Sequence, residues 1–170
     1  MDKLIYNGWL KLYKREVKGR EFEILKNYDG VAVIIQNSDN DIILVKQFRP
    51  SVMKDTYEIP AGCLDIPGES TEDCAVREMF EETGIVINKE ELRLVTSYKP
   101  VLGFSTSNMV IYQTRVDKAD LKSNEIDDLD VSSANWVSFL ELGELVREGI
   151  IMDGKTLISY YYLLSNSVKL

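Results

Sequence analysis

Apolar positions along this chain fall into short blocks whose period changes from two to about three and a half. Residues 1–28 alternate loosely, with Trp9, Leu10, Leu12 and Tyr13 before Lys18-Gly19, and Phe22, Ile24 and Leu25 after it. That pattern predicts a hairpin or short antiparallel ribbon turning near Lys18-Gly19. So small a ribbon is marginal alone and needs the main body or a second subunit to pack on. After Asp29-Gly30, the runs 31–35 and 42–48 are almost wholly apolar and flank a polar turn at 37–40. They predict a central hairpin buried on both faces. Arg49-Pro50 stops the second strand, since proline cannot donate to a ladder. Further strands are predicted at 92–98, 108–116 and 134–139, a loop at 100–107, and helices at 140–148 and 155–164. Strands interleaved with helices make an α/β fold, a mixed sheet with helices on its faces.

Between these blocks, residues 57–85 concentrate the charge. A short strand enters a loop containing Gly62, Pro67 and Gly68, and a helix leaves it, capped by Ser70 or Thr71 and ended by Gly84. Cys74, Ala75, Met79 and Phe80 form the predicted apolar stripe, which turns the acidic side outward. Glu78 and Glu82 are four apart and Glu81 adjoins Glu82, so like charges share a face with Cβ atoms about 5–6 Å apart. Arg77 is spaced to pair with Glu81, leaving Glu78 and Glu82 free. Spacing alone leaves two readings open: a solvated acidic face, or the seat of a hard divalent cation.

Charge and composition narrow the chemistry. A formal net charge of −8 over 170 residues argues against a protein that tracks a nucleic-acid backbone. The absence of histidine excludes imidazole-based triads and His-containing zinc sites, so carboxylates must do any acid–base work. Cys63 and Cys74 have no repeating spacing and, with no signal peptide, are expected to be reduced cytosolic thiols. No apolar run approaches the ~20 residues that span a bilayer. The acidic run 117–130 reads as a mobile solvated loop unless it lends a carboxylate to a site.

Glu69, Arg77-Glu78, Glu81-Glu82 and Gly84-Ile85 resemble the Nudix box, G-x5-E-x7-R-E-x-x-E-E-x-G followed by an apolar residue. One spacing departs from it. Six residues separate Gly62 from Glu69, so strict register falls on Cys63, and the extra residue is expected around Ile66-Pro67. Outside the box, Val45-Lys46-Gln47-Phe48-Arg49-Pro50, Tyr57-Glu58-Ile59-Pro60-Ala61-Gly62, Asp153-Gly154-Lys155-Thr156 and the aromatic ribbon are similar to the ADP-ribose pyrophosphatase branch. That branch often sets a proline directly before a glycine in the loop after the box. Here Val101 and Leu102 intervene between Pro100 and Gly103, leaving room for another nucleotide sugar.

The resemblance implies an α/β/α sandwich on a mixed sheet, with an arm at 1–28 and a hydrolase domain at 29–170. It implies hydrolysis of the diphosphate bond of a nucleoside diphosphate sugar, ADP-ribose to AMP and ribose 5-phosphate first. The alternatives are a GDP-mannose-type sugar, a nucleoside triphosphate, or a non-catalytic nucleotide-binding module. Mg²⁺ or Mn²⁺ would sit on the Ala61 carbonyl, Glu78 and Glu82, with Glu81 a further possible ligand, and Arg77 would orient the carboxylates. Arg49 would meet the diphosphate, Glu58 would line the pocket and Gly103 would lie beside the substrate. For Arg49 the plain alternative is a surface arginine, and for Glu58 a paired residue at a strand end. Glu125 would be the general base, with Asp127 and Asp128 as rivals. The branch implies a cytoplasmic homodimer whose ribbon reaches the partner's site, with Trp9, Tyr13, Phe22 and Tyr28 available to a base or simply packed. It implies no nucleic-acid or membrane partner.

Overall fold

A computed structural model describes residues 2–122, 128 and 130–167. The chain opens with an antiparallel sheet of β1 (Lys3–Asn7), β2 (Lys11–Val17) and β3 (Arg20–Lys26), with β2 in the middle. The expected ribbon therefore carries a third strand. Lys18 and Gly19 both have positive φ, 53° and 75°, the two-residue turn whose twist suits the flanking strands. Asp2 ties the sheet together, reaching Arg15 Nε at 2.7 Å and Lys26 Nζ at 3.2 Å. The sheet meets the main body through β3. The Leu25 N–H donates to the Phe104 carbonyl at 2.8 Å, and the Leu25 carbonyl accepts from the Thr106 N–H at 3.0 Å.

The main sheet is mixed, in the order β10-β5-β4-β9-β8, where β4 is Gly30–Gln36, β5 Ile42–Arg49, β8 Arg93–Tyr98, β9 Met109–Arg115 and β10 Val131–Val137. β4 runs parallel to β9, and the other pairings are antiparallel. The expected central hairpin is corrected here, because β4 and β5 pair only at Gln36 with Ile42. Beyond that point β6 (Lys54–Glu58) pairs with β5 and β7 (Ala61–Cys63) pairs with β4. The Pro60 carbonyl accepts from the Val33 N–H at 2.9 Å. Segment 54–63 thus wedges the hairpin open. Apolar runs state that both faces are covered and say nothing about which strand supplies the ladder partner.

Alternation along β4 and β5 builds two cores. Val31, Val33, Ile35, Ile43 and Val45 pack with Cys74, Ala75 and Met79 of α1 (Thr71–Thr83). Ala32, Ile34, Ile42 and Leu44 pack with Leu142 of α2 (Phe139–Arg147) and Leu163 of α3 (Gly154–Ser167). Helices on both faces make an α/β/α sandwich, held by Val, Ile, Leu and Met side chains each worth about 1.5–3 kcal/mol on burial. No helix among the described residues is long and apolar enough to cross a membrane.

Both ends of α1 are fixed by local chemistry. The Ser70 side chain accepts from the Asp73 N–H at 3.1 Å, and Gly84, at φ 69°, donates its N–H to the Phe80 carbonyl at 2.7 Å. Ser70→Ala removes the N-terminal cap and is expected to cost about 1 kcal/mol. The check is a lowered denaturant midpoint with an unchanged slope.

Candidate active site

Buried positions on α1 recur in pairs, at Cys74-Ala75, Glu78-Met79 and Glu82-Thr83, which is one helical stripe. Glu78 and Glu82 therefore point inward, 8% and 1% exposed, whereas Phe80 is 42% exposed. Both findings correct the expected outward acidic face with Phe80 in the apolar stripe. The reason lies in β7, which meets the helix with backbone. A Cβ built on Gly62 would stand 1.9 Å from the carboxyl carbon of Glu78. Beside it, the Ala61 N–H donates to Glu82 Oε2 at 2.9 Å. The close approach that a box glycine supplies is thus made at Gly62. The residues between it and Glu69 include a turn in which the Glu69 N–H meets the Ile66 carbonyl at 3.2 Å and Gly68 has φ 86°.

Arg77 binds the box together. Its Nε and Nη2 fork onto Glu69 at 2.9 and 3.0 Å, and its Nη1 reaches Glu78 Oε1 at 2.6 Å and Glu81 Oε2 at 3.2 Å. Nη2 also donates to the Cys63 carbonyl at 3.3 Å. Arg77 pairs with Glu81 as expected, but it holds one oxygen of Glu78 as well.

Glu78, Glu82 and Asp128 each offer an oxygen, and the three oxygens lie within 4.8 Å of one another. Burial pushes the Glu82 carboxyl up to about 8, helped by the neighbouring Asp128 and Glu78 charges and opposed by the Ala61 N–H. Burial also raises Glu78, against the pull of Arg77. Asp128 is held at Oδ1 by the N–H groups of Asp130 and Val131, at 2.6 and 3.1 Å. Carboxylates this close require a proton or a cation between them, and an all-oxygen donor set suits Mg²⁺ or Mn²⁺. Glu125 and Asp127 lie outside the described residues.

A second cluster stands on the wedge. Glu58 is buried, and its Oε1 accepts from Arg49 Nε at 2.7 Å and from Thr56 Oγ1 at 2.6 Å. Its Oε2 accepts from Arg49 Nη2 at 2.5 Å and from Lys155 Nζ. Lys155 Nζ also meets Asp153 Oδ2 at 3.1 Å. Burial would raise the Glu58 carboxyl, yet Arg49 and Lys155 overcome it and hold the group down to about 2. Arg49 is only partly covered, its side chain 39% exposed. It feels the charges of Asp153 and Glu82 as well as that of Glu58. The Asp153-Gly154-Lys155-Thr156 motif was the sequence signal for Lys155, but no role attached to it.

Gly103 is exposed, with open space where a Cβ would lie, in a loop stitched to β3. Among the aromatics of the arm and its junction, Trp9 lies against Tyr28 at 5.1 Å between ring centroids, and Lys26 sits over Tyr13 at 4.3 Å. Arg20 stands 5.9 Å from the Phe22 ring.

A NUDIX domain model matches residues 26–157. The chain is 31% identical to the ADP-ribose pyrophosphatase of Bacillus subtilis over 146 residues, 86% of this chain and 77% of that protein. It is 28% identical over 158 residues to the GDP-mannose pyrophosphatase of Cronobacter sakazakii, 87% of this chain and 80% of that one. The Bos taurus uridine diphosphate glucose pyrophosphatase NUDT14 is 30% identical over 139 residues, and the matched region spans 63% of each protein.

Two outcomes follow from the geometry. Gly62→Ala drives a methyl group into Glu78 and is expected to weaken divalent-cation binding tenfold or more, by roughly the loss of one ligand, read by calorimetry on folded protein. The Glu58 carboxyl lies below its unfolded value of 4.5. Its contribution is therefore full above pH 4.5 and lost as pH falls toward 2. Stability is expected to drop by a few kcal/mol across that window, and Glu58→Gln should flatten the drop in denaturation midpoints measured against pH.

Proposed function

The chain belongs to the Nudix family, and from that premise we propose that it hydrolyses the diphosphate bond of a nucleoside diphosphate sugar, with ADP-ribose, split to AMP and ribose 5-phosphate, preferred. The observation that carries this reading is the convergence of Glu78, Glu82 and Asp128 oxygens within 4.8 Å beside the β7 backbone. The relatives named for ADP-ribose and GDP-mannose, each matched over most of this chain, support the substrate class. Val101 and Leu102 between Pro100 and Gly103 favour including a second nucleotide sugar in any trial.

Glu78, Glu82, Asp128 and the Ala61 carbonyl would hold Mg²⁺ or Mn²⁺, which when bound neutralises the diphosphate and lowers the pKa of the attacking water. Arg77 keeps Glu78 and Glu81 in place. Arg49 spends Nε and one Nη2 proton on Glu58, which leaves the Nη1 protons and the second Nη2 proton to take phosphoryl oxygens. Glu58, buried and paired at the end of β6, is the seat of that arginine. Asp128 is already committed to its turn and to the cluster, which leaves Glu125, with Asp127 as its rival, as the carboxylate that accepts the proton from water. The loop carrying Gly103, tied to β3 through Leu25, would lie beside the substrate.

The domain division is an arm at 1–28 and a hydrolase body at 29–170. On the arm, Leu4, Ile5, Tyr6, Trp9 and Phe22 are exposed, and so many large apolar side chains in water call for a cover. A second copy of the chain supplies it, making a homodimer. Free thiols at Cys63 and Cys74 suit the cytoplasm, and the net charge of −8 suits neither nucleic acid nor an anionic membrane surface.

A panel of ADP-ribose, GDP-mannose, UDP-glucose and nucleoside triphosphates, run with Mg²⁺, Mn²⁺ or EDTA, tests the proposal. Expected is release of AMP and ribose 5-phosphate, identified by mass and abolished by EDTA. Glu82→Gln should abolish turnover, Asp128→Asn should weaken metal affinity, and Glu125→Gln should lower kcat by about 10²–10⁴ at unchanged metal affinity. Turnover retained in Glu82→Gln contradicts the metal assignment. Binding of a panel member without hydrolysis makes the chain a binding module.

A further inference from the structure

Lys155 is 5% exposed, with its ammonium between Glu58 and Asp153. It is out of reach of a substrate. Its charge instead completes a carboxylate whose four acceptor positions are filled, by Arg49 Nε and Thr56 Oγ1 on Oε1, and by Arg49 Nη2 and Lys155 Nζ on Oε2. A carboxylate held at all four positions cannot rotate, and the plane of the guanidinium forked onto it is fixed with it. Resting on the reading that Arg49 takes the diphosphate, we propose that Lys155 is a positioning residue that aims Arg49 at the substrate by locking Glu58.

The plain alternative is that Lys155 only fastens α3 to the wedge. Thr156 already does that. Its Oγ1 accepts from the Ile59 N–H at 2.9 Å and donates to Asp153 Oδ2 at 2.7 Å, and its own N–H reaches the same oxygen at 2.9 Å. The helix is therefore joined to the segment leading into Ala61 through neutral donors, without the ammonium. What Lys155 adds is charge, delivered to Glu58 and through it to Arg49. Removing it leaves Glu58 with an open position and two carboxylates without their shared cation, so the fork on Arg49 loosens while the backbone anchor stays.

The experiment is a double-mutant cycle on the full chain with Lys155→Gln, Arg49→Ala and the pair, on a nucleotide sugar that the wild type turns over. Lys155→Gln is expected to raise KM about tenfold, the scale of one charged hydrogen bond, with kcat changed less than about threefold. The pair should lose no more than Arg49→Ala alone, because residues acting through one another are not additive. Should Lys155→Gln not fold, Glu58→Gln unlocks the same seat and is expected to give the same KM rise and the same non-additivity. An unchanged KM, or a pair whose loss equals the product of the single losses, overturns the inference while leaving the hydrolase reading intact. A wild type that turns over no nucleotide sugar overturns that reading and this inference with it.

Discussion

Two carboxylates on one helix are turned into the protein, and most of the fold around them answers to that. Taking a carboxylate out of water costs on the order of several kcal/mol even after relaxation. Glu82 makes one backbone hydrogen bond, from Ala61, and Glu78 is matched on one oxygen by Arg77. Among the described residues neither is fully compensated, and Asp128 brings a third carboxylate to the same few ångströms. A helix seated this way is stable only if its rotation is imposed by stronger contacts. Cys74, Ala75 and Met79 in the α1 core impose it, and the caps at Ser70 and Gly84 set its length. The strain of the cluster is a standing attraction for a divalent cation.

The sheet is built to let those carboxylates in. Had β4 and β5 zipped into the hairpin their sequences suggest, no backbone edge would face α1 at that point. Segment 54–63 enters between them, and β7 presents Gly62 where a side chain would collide with Glu78. The wedge serves a second purpose at its other strand. β6 ends on Glu58, whose partners Arg49 and Lys155 come from β5 and α3. One ten-residue segment thus carries the edge of the acidic cluster and the seat of the half-buried Arg49 guanidinium.

What the sequence disclosed and what it hid divide along chain separation. Glu78, Glu82 and Arg77 were legible because their spacing is local to one helix, and the caps were legible because Ser70 and Gly84 are local too. The direction of the acidic face was misread because amphipathic reasoning puts carboxylates outside, and the exception depends on a glycine in another strand. The third strand of the arm and the split hairpin were hidden because alternation encodes burial and not neighbours. Lys155 meets Glu58 across 97 residues of chain, a contact no periodicity reports. Asp128, a rival for the general base, also stands beside the helix carboxylates, a position that the acidic run before β10 is too uniform to single out.

The central claim is that the buried carboxylates of α1 form a divalent-cation seat, and proton counting tests it most directly. Burial holds the Glu82 carboxyl up to about 8, so it is expected to carry a proton at pH 7 that it gives up on becoming a ligand. Calorimetric titration of metal-free protein with Mn²⁺ at pH 7, in two buffers of different ionisation enthalpy, should show about one proton released per ion bound. The release should fade by about pH 9.5, where the group is already ionised. Binding with no proton release at pH 7, or no binding at all, would contradict the account.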